Sequence, residues 1–345
     1  MSSLAVVILN YNGRGFLSRF LPAVVDHADG AIIYVADNGS TDGSVALLRG
    51  QFPAVQVIEL PVNEGYAGGY NTALAHIRDT APVPFTYYCL LNSDVAVTPG
   101  WIRPVLTLLD THPRVAACQP KLLAYDQPTQ FEYAGGAGGY LDWLGFAFCR
   151  GRLFDTLETD TGQYNDNRPV FWASGACLFV RASVFHQLGG FDPAFFAHME
   201  EIDWCWRAQR HSHEIWTCGE SVVHHVGAGT LAKTNPKKTY LNYRNSLAML
   251  YKNLPGGSPW GLLLLRLMVD GLSAGPLLLR GEWASIWAIL RAHFAFYGWL
   301  SRSDASGLRG QRSQLAQTAT TAVPLFPMSI IWQYFAKGKR RFSEL

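Results

Sequence analysis

The first ninety residues alternate short apolar runs with segments of helical spacing, and few folds accommodate that rhythm. "LAVVIL" (4–9), "AIIYVA" (31–36) and "YYCLL" (87–91) are continuously apolar, and "VQVIEL" (55–60) is nearly so. A strand of that kind has to be covered on both faces. The intervening stretches 16–28, 42–51 and 66–78 read as helices, with Pro22 expected to kink or shorten the first. Strands alternating with helices at this spacing predict an α/β fold, Rossmann-like, with a mostly parallel central sheet. Such sheets bind ligands outside the carboxyl ends of their strands.

Beyond residue 120 the pattern is irregular. "EYAGGAGGYLDWLG" (132–145) reads as loop and hairpin, "VFWASGACLFVR" (170–181) as strand, and "MEEIDWCWRAQR" (199–210) as helix. "EIWTCG" and "SVVHHVG" look like two further strands. A chain of 345 residues that is 49% hydrophobic can bury a large core, which excludes a disordered protein. Its six cysteines show no metal-like spacing, so they read as buried free thiols of a reducing compartment. The N-terminus lacks a basic region and a cleavage site, so it reads as a first strand and the chain as cytoplasmic.

Charge divides the chain. Residues 1–230 carry 13 Lys and Arg against 22 Asp and Glu, whereas residues 231–345 carry 15 against 4, giving −9 and +11. A basic, Trp-rich tail suits nucleic acid or an anionic membrane surface. The run 260–279 has the length of a membrane span, but Arg266, Asp270 and Pro276 interrupt it. One charge at the bilayer centre costs roughly 2.5–3.5 kcal/mol on insertion scales. Trp283, Trp287 and Trp299, with Arg291 nearby, and the Lys/Arg cluster near 337–341 favour helices lying in the interface. No nucleic acid is therefore expected as a partner. The plainer alternative is a helical subdomain packed on the body or on a second copy; the oligomeric state is left open.

Four polar constellations fall where such a sheet would display them. Asp37, with Asn38 and Gly39 after it, ends the second strand and could accept from a base or ribose, or simply make a capped turn. In "NEGYAGGYN" (63–71), Gly65, Gly68 and Gly69 allow close backbone approach and open a helix whose N-terminus favours anions. Asn92-Ser93-Asp94 ends a buried strand; Asp94 could hold Mg²⁺ or Mn²⁺ against a diphosphate, or cap the next helix. In "HMEEIDWCWR" (198–207), Asp203 and Arg207 form an i,i+4 pair, while Glu201 has no helical cation partner and is a candidate general base. His224 or His225 could complete a metal shell, and Arg244 suits a phosphate or a solvated helix face.

Taken together and in order, "VVILNYNG", "VADNGSTDGS", "NEGYAGGYN", "LLNSDV", "GACLFVRASVF", "GGFDPAFFAHMEEIDWCWR", "HHVGAGT" and "YRNSL" resemble glycosyltransferase family 2, inverting enzymes with the glycosyltransferase-A fold. Within it the resemblance is to the bacterial rhamnosyltransferase-like branch, and it covers about residues 4–250. It implies that Asp37 reads the base beside Asn10 and Tyr11. Asn63, Gly65, Gly68 and Gly69 would line the nucleotide-sugar, with Asn38, Asn92 and Arg244 near it. Asp94 and His225 would hold the metal, and Glu201 would be the base, with Glu200 and Asp203 as alternatives. Two positions depart from the family pattern: its Asp-x-Asp is here Asn92-Ser93-Asp94, and its Glu-Asp pair is Glu200-Glu201. The implied organisation is a catalytic domain over 1–250 and a membrane-interfacial helical region over 251–345. The implied reaction moves a sugar from dTDP-rhamnose or a UDP-sugar to a glycan or lipid-linked acceptor at the inner face of the cell membrane. The alternative is a catalytically silent nucleotide- or carbohydrate-binding protein, or a membrane scaffold, on the same fold.

Overall fold

A computed structural model describes residues 3–227, 235–254, 259–302, 307–318 and 321–345. The expected strand–helix alternation is present: β1 (Leu4–Asn10), α1 (Arg14–Asp26), β2 (Ile32–Asn38), α2 (Ser44–Gln51), β3 (Gln56–Leu60), α3 (Gly65–Thr80) and β4 (Tyr87–Asn92). Then follow β5 (Val95–Val97), α4 (Ile102–Thr111) and β6 (Val115–Ala124). Pro22 lies inside α1, which runs through it. The irregular stretch forms a small antiparallel sheet of β7 (Gly139–Leu141), β8 (Ala147–Cys149), β9 (Arg152–Leu153) and β10 (Thr156–Leu157). It is followed by β11 (Arg168–Pro169), β12 (Cys177–Arg181), α5 (Ala182–Gln187), α6 (Glu200–Arg210) and β13 (Glu214–His225).

The central sheet has the order β11-β13-β6-β12-β4-β1-β2-β3, with β5 paired to β13. β1, β2, β3 and β4 run parallel, as do β6 and β13; β12 runs antiparallel between β4 and β6. Each face carries its own apolar cluster, one around Tyr70, Trp204 and Trp206, the other around Leu17, Trp101 and Phe179. That double cover explains the continuous apolar strands. All six cysteines are buried and free.

Two strand expectations are corrected. Residues 170–181 give only the short β12, because the Phe171–Ala176 segment leaves the ladder to cross the strand ends. "EIWTCG" and "SVVHHVG" are one strand, β13, with its register to β6 shifted between Cys218 and Val222. The irregularity is held from outside the ladder, where Asn167 Oδ1 accepts from Gly219 N at 2.9 Å and Ser221 Oγ donates to Trp101 O at 2.5 Å.

The C-terminal part is α7 (Pro236–Asn253), α8 (Trp260–Leu279), α9 (Trp283–Leu300) and α10 (Leu308–Thr318). α9 packs on α7 through Phe296 and Tyr251, whose rings are 6.3 Å apart. The charges that interrupt α8 turn inward: Arg266 Nε donates to Asp270 Oδ1 at 2.8 Å, and both side chains are buried. The outward face is left apolar, with Leu264, Leu272, Leu279, Trp283, Trp287 and Phe294 exposed on α8, α9 and the turn between them. By length and composition, α8 alone among the described helices could cross a membrane.

Candidate active site

Parallel pairing aligns the carboxyl ends of β1, β2 and β4, so Asn10, Asp37 and Asn92 share one rim. Asp37 Oδ2 accepts from Asn10 Nδ2 at 2.9 Å and Oδ1 from Ser40 N at 2.9 Å. Asn10 Oδ1 is buried without a partner among the described residues, and Tyr11 beside it is exposed. Asn38 has a different job from the ligand contact expected of it. Its amide donates to Asn63 Oδ1 at 3.2 Å and Gly65 O at 3.0 Å, and its carbonyl accepts from Glu64 N at 2.9 Å. It ties β2 to the turn before α3.

The glycines permit close approach, as their spacing predicts, but the approaching groups belong to the protein. At Gly65, with φ +75°, a Cβ would sit 2.4 Å from Phe196 O; at Gly68 it would meet Glu64 Cβ at 2.8 Å, and at Gly69 Leu9 at 2.8 Å. The first amides of α3 are engaged too: Asn63 Oδ1 takes Gly65 N, and Phe196 O takes Tyr66 N and Ala67 N. Protein acceptors thus satisfy the first amides of this helix.

Asp94 follows the end of β4, and β5 turns directly into an antiparallel pairing with β13 that sets His225 opposite Val95. This register brings His225 Nε2 to 3.1 Å from Asp94 Oδ1, and Asn92 Nδ2 lies 3.5 Å from the same ring nitrogen. His224 points its strand position to the other face, and the 228–230 end of its motif lies outside the described residues. Burial disfavours a charged His225, but hydrogen bonds and charge from Asp94 and Glu132 outweigh it and push its pKa up to about 10. Among the described residues no group of three or more His, Cys, Asp or Glu is arranged to hold a metal. One carboxylate and one imidazole nevertheless fit a cation that takes its remaining oxygens from substrate phosphates.

The three acidic candidates on α6 have three environments. Asp203 is fully buried: Arg207 Nε (2.8 Å) and Lys252 Nζ (2.9 Å) meet its Oδ2, and Asn253 Nδ2 donates to Oδ1 at 2.7 Å. Against its burial, these cations hold its pKa below the usual value, and the carboxylate is structural. Glu200 is buried with Oε2 unpartnered, and burial reinforced by the Glu201 charge raises its pKa well above the carboxylate range. Glu201 is half-buried, its Oε2 has no partner among the described residues, and burial pushes it up to about 7. The three environments push the three carboxyls apart, one below and two above the ordinary carboxylate range.

The segment that leads into α6 is strained. Phe196, His198 and Met199 all have φ between 66° and 73°, the left-handed region that costs non-glycine residues about 1–3 kcal/mol each. Five successive carbonyls hold it in place. Arg244 Nη2 donates to Ala194 O (2.8 Å) and Phe195 O (3.0 Å), and Asn245 Nδ2 to Phe195 O, Ala197 O and His198 O at 2.7–2.9 Å. The amides of α3 take Phe196 O. Arg244 thus fastens this loop, and Asn245 is a residue the motif reading passed over. The loop and α3 are joined to the β4 rim through Tyr66, whose hydroxyl donates to Gly175 O at 2.6 Å, while Ala176 O accepts from Asn92 N at 2.9 Å. Burial raises the Tyr66 pKa well above its ordinary value.

A parallel sheet with nucleotide-style rim residues, interrupted by one antiparallel strand and followed by an acidic helix start, is the glycosyltransferase-A architecture. Among solved structures the chain is similar to GalNAc-T7, crystallised with UDP, GalNAc and Mn²⁺ (TM-score 0.55, 15% identity, 73% of this chain and 48% of that one). The model of glycosyl transferase family 2 matches residues 5–189, and the chain belongs to that family. It is 30% identical over 209 residues to the N-acetylglucosaminyl-diphospho-decaprenol L-rhamnosyltransferase of Mycobacterium tuberculosis, over 58% of this chain and 68% of the relative. It is also 23% identical over 246 residues to a low-salt glycan biosynthesis hexosyltransferase of Haloferax volcanii, over 71% and 74% of the two chains.

Proposed function

We propose that this glycosyltransferase transfers a sugar, with inversion, from a nucleotide-diphosphate donor to a hydroxyl of a glycan or lipid-linked acceptor. dTDP-rhamnose or a UDP-sugar is the donor, in line with the rhamnosyltransferase-like relatives. The observation that carries the reading is the difference between the α6 carboxyls: of the three, Glu201 alone is not fully buried, and burial pushes it up to about 7. Glu201 takes the proton of the acceptor hydroxyl as that oxygen attacks the anomeric carbon from the face opposite the diphosphate. Asp37 and Asn10 hold the base edge, with Tyr11 beside it. Asp94 and His225 would hold Mg²⁺ or Mn²⁺, which when bound neutralises charge developing on the departing diphosphate.

The tail supports a place at the inner membrane face. Its exposed apolar face carries Trp283, Trp287 and Phe294, and Arg280 and Arg291, on the same two helices and the turn between them, are exposed as well. Aromatics in the interface and cations toward anionic headgroups suit helices that lie on a bilayer. In this reading residues up to about 250 do the chemistry and the remainder brings it to the acceptor. Calorimetric titration with dTDP, UDP and GDP, each with Mn²⁺ and again with chelator, tests the proposal. Metal-dependent binding of one nucleotide followed by turnover of its sugar derivative is expected; no binding by folded protein refutes it.

A further inference from the structure

We propose that Glu132 is a positioning residue that orients the His225 imidazole for metal binding, an inference that rests on the assignment of Asp94 and His225 above. Glu132 lies far from either residue in sequence, in the irregular stretch after β6. It is brought in when Glu132 N donates to Leu122 O at 3.0 Å, while Tyr125 N donates to His225 O at 3.0 Å. The three side chains form a buried row: Asp94 Oδ1 is 3.1 Å from His225 Nε2, and His225 Nδ1 is 3.4 Å from Glu132 Oε1. When a cation displaces the Nε2 proton, an imidazole whose Nδ1–H faces a carboxylate would turn its Nε2 lone pair to that cation, in the direction of Asp94.

Gly227 supplies a second, independent observation. Its φ is +74°, and a Cβ there would sit 2.7 Å from Glu132 Oε1. The bare α-carbon two residues after His225 thus makes room for the Glu132 carboxylate. The other Glu132 oxygen accepts from Ala134 N. Both carboxylate oxygens face donors, so a glutamine in this place must turn its amide nitrogen toward either Ala134 N–H or His225. Glu132→Gln keeps the shape and removes the orientation.

The test is titration of the free-Mn²⁺ electron paramagnetic resonance signal with protein, in the presence of UDP or dTDP. Four proteins are compared: wild type, Glu132→Gln, Gly227→Ala and Asp94→Ala, each with its thermal midpoint measured. Loss of an outer carboxylate partner of a metal-binding histidine costs about 10–100-fold in affinity. Glu132→Gln is expected to weaken Mn²⁺ by that factor at a near-unchanged thermal midpoint. Gly227→Ala is expected to weaken it in the same sense, with a lower midpoint from backbone strain. Wild-type affinity in both variants, while Asp94→Ala abolishes binding, overturns the role of Glu132 and leaves the metal assignment intact. Failure of the wild type to bind Mn²⁺, or full binding by Asp94→Ala, overturns the metal assignment and the inference with it.

Discussion

Glu201→Gln removes the proposed base while keeping its volume and one acceptor oxygen. General-base assistance contributes about 10²–10⁴-fold, or about 2.7–5.5 kcal/mol of barrier at 1.36 kcal/mol per decade. Nucleoside diphosphate release from dTDP-rhamnose, or from the UDP-sugar that the wild type turns over, should fall by that factor while donor affinity holds. The pH dependence adds a second signature. With the carboxyl titrating at about 7, kcat/KM of the wild type should rise about tenfold from pH 6 to 8, following ionisation of the base. The variant should lack this limb. Stability moves the opposite way: a carboxyl whose folded pKa is raised stabilises the fold while protonated, and that contribution is lost as pH rises through about 7. The thermal midpoint of Glu201→Gln relative to wild type should therefore be higher at pH 8 than at pH 5. Glu200→Gln removes a carboxyl whose anion burial and the Glu201 charge disfavour, and it should retain turnover within about tenfold. Near-normal turnover of Glu201→Gln, or a flat wild-type profile, would refute the assignment.

Asp94→Ala should abolish the part of nucleotide affinity that chelator removes; calorimetry with and without chelator checks this. Asn245→Ala leaves the buried carbonyls of Phe195, Ala197 and His198 short of a donor. About 1–3 kcal/mol of stability should be lost, read by urea denaturation, together with turnover because the strained loop relaxes. The triple substitution Trp283→Gln, Trp287→Gln, Phe294→Gln should release the protein from liposomes containing phosphatidylglycerol with its midpoint unchanged; sedimentation with undiminished recovery would remove the tail from membrane binding.

The parts of this molecule written in local spacing were legible in its sequence. Period and length gave the parallel strands, and the i,i+4 rule gave Asp203–Arg207, which the structure contains at 2.8 Å. The remaining partners of Asp203 lie about fifty residues downstream in α7, and no periodicity connects them to α6. The glycines at 65, 68 and 69 announced a close approach without saying what approaches; Phe196 comes from beyond β12, and a ligand was the simpler guess. The resemblance sets Asn38 and Arg244 near the nucleotide, but their contacts with turns of the protein itself were not legible, because only the folded chain reveals the course of those turns. Glu132 was invisible for a similar reason: the stretch around it has no hydrophobic period to say which way a side chain faces.

The lattice around Asp203 carries a lesson for dissecting the protein. Two of its three partners, Lys252 and Asn253, are the last two residues of α7, just before the apolar helices α8 and α9. A chain ended at residue 250 would leave Asp203 under α6 with Arg207 alone, a buried carboxylate facing polar positions that nothing fills. Removing one member of such a buried ionic group costs about 3–5 kcal/mol, enough to unfold many domains of modest stability. Truncations made upstream of Lys252 should therefore lower the yield of soluble, folded protein relative to truncations made after Asn253.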